Sequence, residues 1–145
     1  MNDVHELFHS IHQLARQMTK SLNDALQPFD IYSSQWTVLF LLKTKGSMTQ
    51  KEISDYLAIE APPITRTVQK LVANGYVRQV KGIDKRTKRI ELTEKALEKY
   101  PAWEKAVLQM NQDLSLPLSS ASQQQLLTLI SDWNQYLSTR GKEIE

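Results

Sequence analysis

The sequence predicts a mainly α-helical chain with a small β part, in which a compact central segment lies between long N- and C-terminal helices. Residues 49–92 contain two short helical patterns, a turn and two β-prone runs joined by a basic, glycine-containing tip. Long apolar stripes at helical spacing stand on both sides of this segment. Two short helices followed by a basic hairpin are typical of a winged helix-turn-helix, which is therefore the predicted fold.

The two central helices carry clear start and stop signals. Thr49 and Glu52 have the spacing of a capping box, in which each side chain accepts a hydrogen bond from the other residue's backbone N–H. Pro62 and Pro63 fit the first turn of the second helix, where the N–H groups have no partner within the helix. Asn74-Gly75 is a helix stop signal. The predicted buried face of the second helix consists of Ile64, Val68, Leu71 and Val72.

The opposite face of the second helix and the hairpin tip are polar, and we predict that both contact DNA. The predicted strands are Tyr76 to Val80 and Lys88 to Leu92. Because Asp84 stands two residues before Arg86, we expect its carboxylate to hold the Arg86 guanidinium ready for a minor groove. The predicted DNA-binding residues are Pro62, Thr65, Arg66, Gln69, Lys70, Lys81, Asp84, Lys85, Arg86 and Lys88.

Charge is divided unevenly along the chain. Residues 43–95 hold 12 Lys and Arg against 6 Asp and Glu, whereas the remainder holds 6 against 10. The positive charge therefore coincides with the predicted DNA surface. The chain has no cysteine, which excludes thiol redox sensing and cysteine-ligated zinc. With no signal-peptide pattern and no apolar run near 18 residues, we expect a cytoplasmic protein without a membrane partner.

The long outer helices are predicted to form a dimer interface. The first runs from about Asp3 to about Gln27, the next from a Thr93 cap to about Leu114, and the last from about Ser120. We treat 1–145 as one domain, with 33–92 binding DNA and 1–30 and 97–145 joining two subunits. Packing of the first helix on the chain's own C-terminal helices is the alternative.

Two features of the N-terminal part admit two interpretations. His5, His9 and His12 lie along one flank of the first helix, followed by Arg16. Two His one turn apart can supply half of a zinc site, but the ordinary interpretation is an exposed flank, and we predict no metal and no cofactor. Trp36 lies in a helix that starts at Ser33 or Ser34, where its indole belongs either to the core or to a small-molecule cavity.

The segment Asp84 to Ala96, DKRTKRIELTEKA, resembles the wing signature of the MarR family of bacterial transcription regulators. The family usually has Gly at the position of Ala96, whereas its SlyA branch has Ala and also resembles residues 59–67. The resemblance covers nearly the whole chain and implies a homodimer that binds a pseudo-palindromic operator, most often as a repressor. It further implies release by small aromatic or phenolic anions, with Trp36 and Arg16 in the ligand cleft. We add His12, one turn from Arg16.

Two other classes of function fit the sequence less well than DNA-binding regulation. An enzyme is not expected, because the sequence lacks a nucleophile elbow, a phosphate-binding loop and metal-ligand spacing. A winged helix used only for protein contacts is the stronger alternative, since a fold does not dictate its function. Such a module has no need of the basic residues that crowd this hairpin tip.

Overall fold

The structure, a computed structural model, describes residues 3–84 and 86–144 and confirms the predicted winged helix-turn-helix. Two compact units divide the chain inside its fifth α-helix, one ending at Met110 and the other starting at Asn111. In chain order the elements are α1 (Asp3–Leu26), a 3₁₀ turn (Gln27–Phe29), α2 (Ser33–Lys45), β1 (Met48–Thr49), α3 (Gln50–Leu57), α4 (Ala61–Ala73), β2 (Val77–Lys81), β3 (Lys88–Leu92), α5 (Glu94–Leu114) and α6 (Ser120–Ile144).

The sheet has three antiparallel strands in the order β1-β3-β2. β2 and β3 form the predicted hairpin, with β2 starting one residue later than expected. The two-residue strand β1, which pairs Met48 with Ile90 and Thr49 with Arg89, was not predicted. Two residues are too few to show a strand pattern in the sequence. β1 ties the hairpin to the start of α3.

The local end signals of the helices are confirmed. The Thr49 N–H donates to Glu52 Oε1 and the Glu52 N–H donates to Thr49 Oγ1, each at 3.1 Å. α4 ends at Ala73 with Asn74 as its C-cap, and Gly75 follows with φ +80°, a left-handed conformation that glycine adopts without strain. At the start of α5, the Thr93 hydroxyl oxygen accepts a hydrogen bond from the Ala96 N–H. These caps need only neighbouring residues, which is why the sequence shows them.

The segment from α2 to β3 is called the winged part here, and its hairpin of β2 and β3 is the wing. Its core is built from α2, α3, α4, the sheet and the first part of α5. Ile64, Val68 and Leu71 of α4 are buried as predicted, but Val72 is 43% exposed, so its assignment to the buried face was wrong. Val72 lies one residue beyond the stripe that faces the core. The side chains that are fully enclosed include Leu39, Ile53, Val68, Leu71, Ile90 and Trp103.

The outer helices expose much of their apolar surface. In α1 only Leu26 is buried, whereas Leu7, Ile11, Leu14 and Met18 are exposed. In the second unit, α6 has no buried residue among its described side chains. No helix in the described part of the chain is both long and apolar enough to cross a membrane.

Candidate nucleic-acid interface

The outer face of α4 presents four of the ten residues that were predicted to contact DNA. Pro62, Arg66, Gln69 and Lys70 are all exposed. Thr65 differs, because it is half-buried and its hydroxyl lies 2.9 Å from Gln50 Oε1 and 3.0 Å from the Ala61 carbonyl oxygen. The hydroxyl proton of Thr65 is thus used inside the protein, where it links α4 to the start of α3. Gln50, which sequence reasoning missed, is its partner across 15 positions of sequence.

A cleft of about 470 Å³ lies beside this face, between the beginning of α2 and α4. Its shape depends on polar contacts at the α2 terminus: Asn23 Oδ1 accepts from the Ser33 N–H at 2.7 Å, and buried Gln35 accepts from the Tyr32 N–H at 3.0 Å. None of the described residues that line the cleft carries a carboxylate. The lining consists of Asn23, Tyr32, Ser33, Ser34, Gln35, Pro63, Arg66, Thr67 and Lys70. The cleft therefore favours anions.

The residues predicted for a ligand site do not meet in this cleft. Trp36 is 7% exposed and stacks on Tyr100 with ring centroids 5.4 Å apart, so its indole belongs to the core. His12 and Arg16 lie on exposed α1 and do not line the cleft. Within residues 3–84 and 86–144, no three His, Asp or Glu side chains are grouped so that they could hold a metal ion.

The wing tip is held by backbone hydrogen bonds. The Gly82 N–H donates to the Thr87 carbonyl oxygen, and the Thr87 N–H donates to the Asp84 carbonyl oxygen, both at 2.9 Å. The Asp84 carboxylate accepts from the backbone N–H of Arg86 at 3.1 Å. The expectation that this carboxylate holds the Arg86 guanidinium was wrong: the two described side chains form no ion pair, and the carboxylate is bound to the backbone amide instead. Lys85 lies outside the described residues.

The cations of α4 and of the β2–β3 hairpin fall into two sets. Arg78 is paired with Glu91 at 2.7 Å, and Arg89 with Glu52 at 3.4 Å. Among the residues that the structure describes, the cations that were predicted to bind DNA form no ion pair with a carboxylate. These unpaired cations are Arg66, Lys70, Lys81, Arg86 and Lys88, and all are exposed.

Two of the unpaired cations face each other across the hairpin. Lys81 and Lys88 are cross-strand neighbours at the end of the ladder, on the side of the wing tip. Like charges directly opposite one another destabilise a β-hairpin. An anion beside both lysines would remove this cost, which makes the wing suitable for a phosphate backbone.

Comparison with known proteins agrees with this geometry. The model of the MarR family matches residues 31–88. The uncharacterized HTH-type transcriptional regulator YwoH of Bacillus subtilis is 47% identical over 108 residues, which cover 74% of this chain and 79% of YwoH.

Two solved structures have closely similar folds. A mutant form of MarR from Escherichia coli, complexed with operator DNA, has a TM-score of 0.82 at 25% identity, covering 90% of this chain and 95% of the MarR chain. The transcriptional regulator SlyA has a TM-score of 0.84 at 19% identity, covering 96% of this chain and 99% of SlyA, which shows the shared fold alone. The family match, the close relative and the exposed cationic face agree, and the chain belongs to the MarR family of DNA-binding transcriptional regulators, which are not enzymes.

Proposed function

We propose that this protein binds a pseudo-palindromic operator as a homodimer and represses transcription. The observation that carries the proposal is the separation of the cations: Arg78 and Arg89, within the wing strands, are paired with carboxylates, whereas those on the outer face of α4 and at the tip end of the wing are not. A cationic side chain that is already paired with a carboxylate gains less from binding a phosphate. An unpaired one displaces counterions that are condensed on the DNA when it binds. In this proposal α4 lies in the major groove and the wing reaches the adjacent minor groove.

The dimer is supported by the exposed apolar stripe of α1. Leu7, Ile11 and Leu14 are large apolar side chains on one face of a long helix, and each is more than one-third exposed. Large apolar faces of this kind mark protein interfaces. A two-fold dimer would place its two α4 helices about 34–36 Å apart, or a multiple of that distance, on two half-sites of one operator.

Release by a small aromatic or phenolic anion is also part of the proposal. Its support is the cleft beside α4, because Arg66 and Lys70 line it and are also predicted to bind DNA. An anion in the cleft would occupy the two cations that an operator needs. Since Trp36 is buried, the aromatic ring of such a ligand would lie against Pro63 and Tyr32 instead. Repression would then end when the anion accumulates.

The test is a titration against an operator selected from a genomic pool, at several salt concentrations. Arg66→Ala should cost roughly 1–3 kcal/mol of binding free energy and blur the preference at one base pair. Arg78→Ala is the matched control, because it removes the same charge from an arginine that is paired with Glu91. Addition of millimolar salicylate as a probe anion should weaken operator binding by the wild-type protein.

Three results would count against this proposal. Equal losses in Arg66→Ala and Arg78→Ala would mean that net charge, not the outer face of α4, drives binding. Salt-independent, negligible binding of any duplex by the wild-type protein would instead support a winged helix that contacts proteins only. An unchanged affinity in salicylate would remove that class of anion from the proposal.

A further inference from the structure

Arg89 is the one described wing cation whose side chain turns away from the wing surface and towards the helix-turn-helix. Its Nε donates to Ser47 Oγ at 3.1 Å and its Nη2 donates to the Ser47 carbonyl oxygen at 2.6 Å. Its Nη1 lies 3.4 Å from Glu52 Oε1, the same oxygen that accepts from the Thr49 N–H. One guanidinium thus contacts the residue before β1 and the cap of α3.

The carboxylate at the centre of this network is kept charged. Hydrogen bonds from the Thr49 backbone and hydroxyl lower the pKa of the Glu52 carboxyl below its usual value, and the positive charge of Arg89 acts in the same direction. Glu52 therefore serves the helix cap and the wing at once. The contact joins positions that are 37 residues apart in the sequence.

These contacts reinforce a weak part of the sheet. β1 contributes only Met48 and Thr49 to the pairing with β3, and a ladder of this length holds two segments together poorly. Arg89 extends the attachment by one residue, to Ser47. On the side of the tip, a Cβ added to Gly82 would meet the Arg89 side chain at 3.7 Å, so the base of the wing turn lies against the arginine stem.

We propose that Arg89 is a positioning residue, which fixes the wing against the helix-turn-helix so that α4 and the wing tip reach two adjacent grooves together. β2 is already tied to α4 through the turn at Asn74-Gly75, and Arg89 supplies the corresponding tie between β3 and α3. The inference rests on the proposed DNA binding, and it assigns to one basic wing residue a role other than contact with phosphate.

The geometry predicts that lysine cannot replace Arg89. The planar guanidinium donates in three directions at once, to Ser47 Oγ, the Ser47 carbonyl oxygen and Glu52, whereas an ammonium on a flexible stem does not reproduce this fork. A residue that merely contacts phosphate would tolerate the exchange, because lysine keeps the charge. The two roles therefore differ in the outcome of Arg89→Lys.

The experiment compares Arg89→Lys and Arg89→Ala with Lys88→Ala on one operator, with A·T-rich or G·C-rich flanks, across a range of salt. Both Arg89 variants should bind roughly tenfold more weakly than wild type and lose the preference for A·T-rich flanks, with no change in the salt slope. Lys88→Ala, an exposed neighbour on β3, should lower the slope by about one unit and keep the flank preference.

Hydrogen exchange of the free protein gives a readout that does not depend on DNA. The amides of Gly82 and Thr87, which donate within the wing turn, should exchange faster in both Arg89 variants than in Lys88→Ala. Recovery of full affinity in Arg89→Lys, or a slope that falls by about one unit in Arg89→Ala, would overturn the inference. Failure of the wild-type protein to bind DNA would overturn the proposed function, while faster exchange would still locate the Arg89 contact.

If Arg89→Ala does not fold, Ser47→Ala provides a second test of the positioning role of Arg89. This substitution removes only the hydroxyl acceptor of the Arg89 Nε and changes no charge. It should weaken the flank preference in the same direction by a smaller factor, with an unchanged salt slope. An unaltered flank preference in Ser47→Ala together with full activity in Arg89→Lys would reject the positioning role.

Discussion

The winged part buries most of its large apolar side chains, whereas the two outermost helices, α1 and α6, leave most of theirs exposed. In the winged part Leu39, Ile53 and Val68 have no exposed surface, and they pack into one cluster with residues of the sheet and α5. In α1, and separately in α6, large apolar residues such as Met18 and Leu129 remain exposed in the single chain. The same kinds of residue thus complete a core in one region and leave it open in the other.

This difference separates what one chain can do alone from what requires a partner. A domain that closes its own core has stability that does not depend on protein concentration, whereas an exposed apolar stripe gains stability only on association. The winged part can therefore present α4 and the wing as a unit. In the proposed dimer, the exposed surfaces of α1 and α6 would set the spacing between two such winged parts.

The largest effect is expected when acidic residues are placed in the exposed apolar stripe of α1. Ile11→Glu together with Met18→Glu should convert the dimer into a monomer, because two carboxylates cannot be buried in an apolar interface without a large cost. Operator affinity should then fall roughly 100- to 10,000-fold, since each α4 would bind its half-site without the other. Sedimentation and operator titration measure both effects.

The matched control places the same charges on the polar side of α1. Gln13→Glu together with Gln17→Glu should leave both the sedimentation coefficient and operator affinity close to those of wild type. A double Ile11/Met18 variant that still sediments as a dimer would show that the stripe is not the interface. The alternative, in which α1 is covered by other parts of its own chain, would then be favoured.

The core of the winged part offers the second prediction. Leu71→Ala should cost about 2–5 kcal/mol of unfolding free energy, because Leu71 is fully buried and its truncation leaves a cavity. Val72→Ala, at the next and exposed position, should cost less than about 0.5 kcal/mol. Denaturant titrations of the monomeric Ile11/Met18 variant should show the same difference between the two, since this core lies within one chain. A loss from Leu71→Ala that disappears in the monomer would contradict a self-contained winged part.

The parts of the fold that were predictable depend on short sequence distances. The capping box of Thr49 and Glu52, the stop at Gly75 and the stripe of α4 each involve residues within a few positions of one another, and each is confirmed apart from Val72 at the edge of the stripe. The missed features join distant positions. Arg89 meets Ser47 across 42 residues, and Thr65 meets Gln50 across 15, so no local pattern announces either contact.

In the candidate DNA-binding site, some contacts were not predictable even between residues that are close in the sequence. The sequence indicated which face of α4 is polar, because helical periodicity fixes that face. It did not indicate that Asp84 binds the Arg86 backbone rather than its side chain, since a spacing of two residues allows either donor. The choice between them depends on the turn geometry. Trp36 likewise carried two interpretations until Tyr100, 64 positions away, was seen to stack on it.

The core of the winged part contains a buried polar group, the hydroxyl of Tyr100. Tyr100 is 3% exposed and lies between Trp36 and Trp103, and its hydroxyl has no hydrogen bond of good geometry; the Glu104 carboxylate is near enough only for a weak one. Burial raises the pKa of Tyr100 to about 12, and the negative charge of Glu104 and the weak hydrogen bond to it act in the same direction. A buried hydroxyl whose one nearby acceptor is badly placed destabilises a fold, so this residue weakens an otherwise closed interior.

Tyr100→Phe gives the smallest expected effect and the finest test of the comparison. Near neutral pH the variant should be as stable as wild type or more stable by up to about 1 kcal/mol, because it removes a poorly satisfied hydroxyl and keeps the ring. The wild-type phenol has a higher pKa folded than unfolded, so its contribution is complete below about pH 10 and is lost as pH rises towards 12. Wild type should therefore lose more unfolding free energy than Tyr100→Phe between those pH values, in denaturant titrations with Tyr56→Phe, at an exposed tyrosine, as the control. A variant less stable than wild type at neutral pH would mean that the hydroxyl forms a stabilising hydrogen bond in solution, to Glu104 or to water, and that the interior has no weak point here.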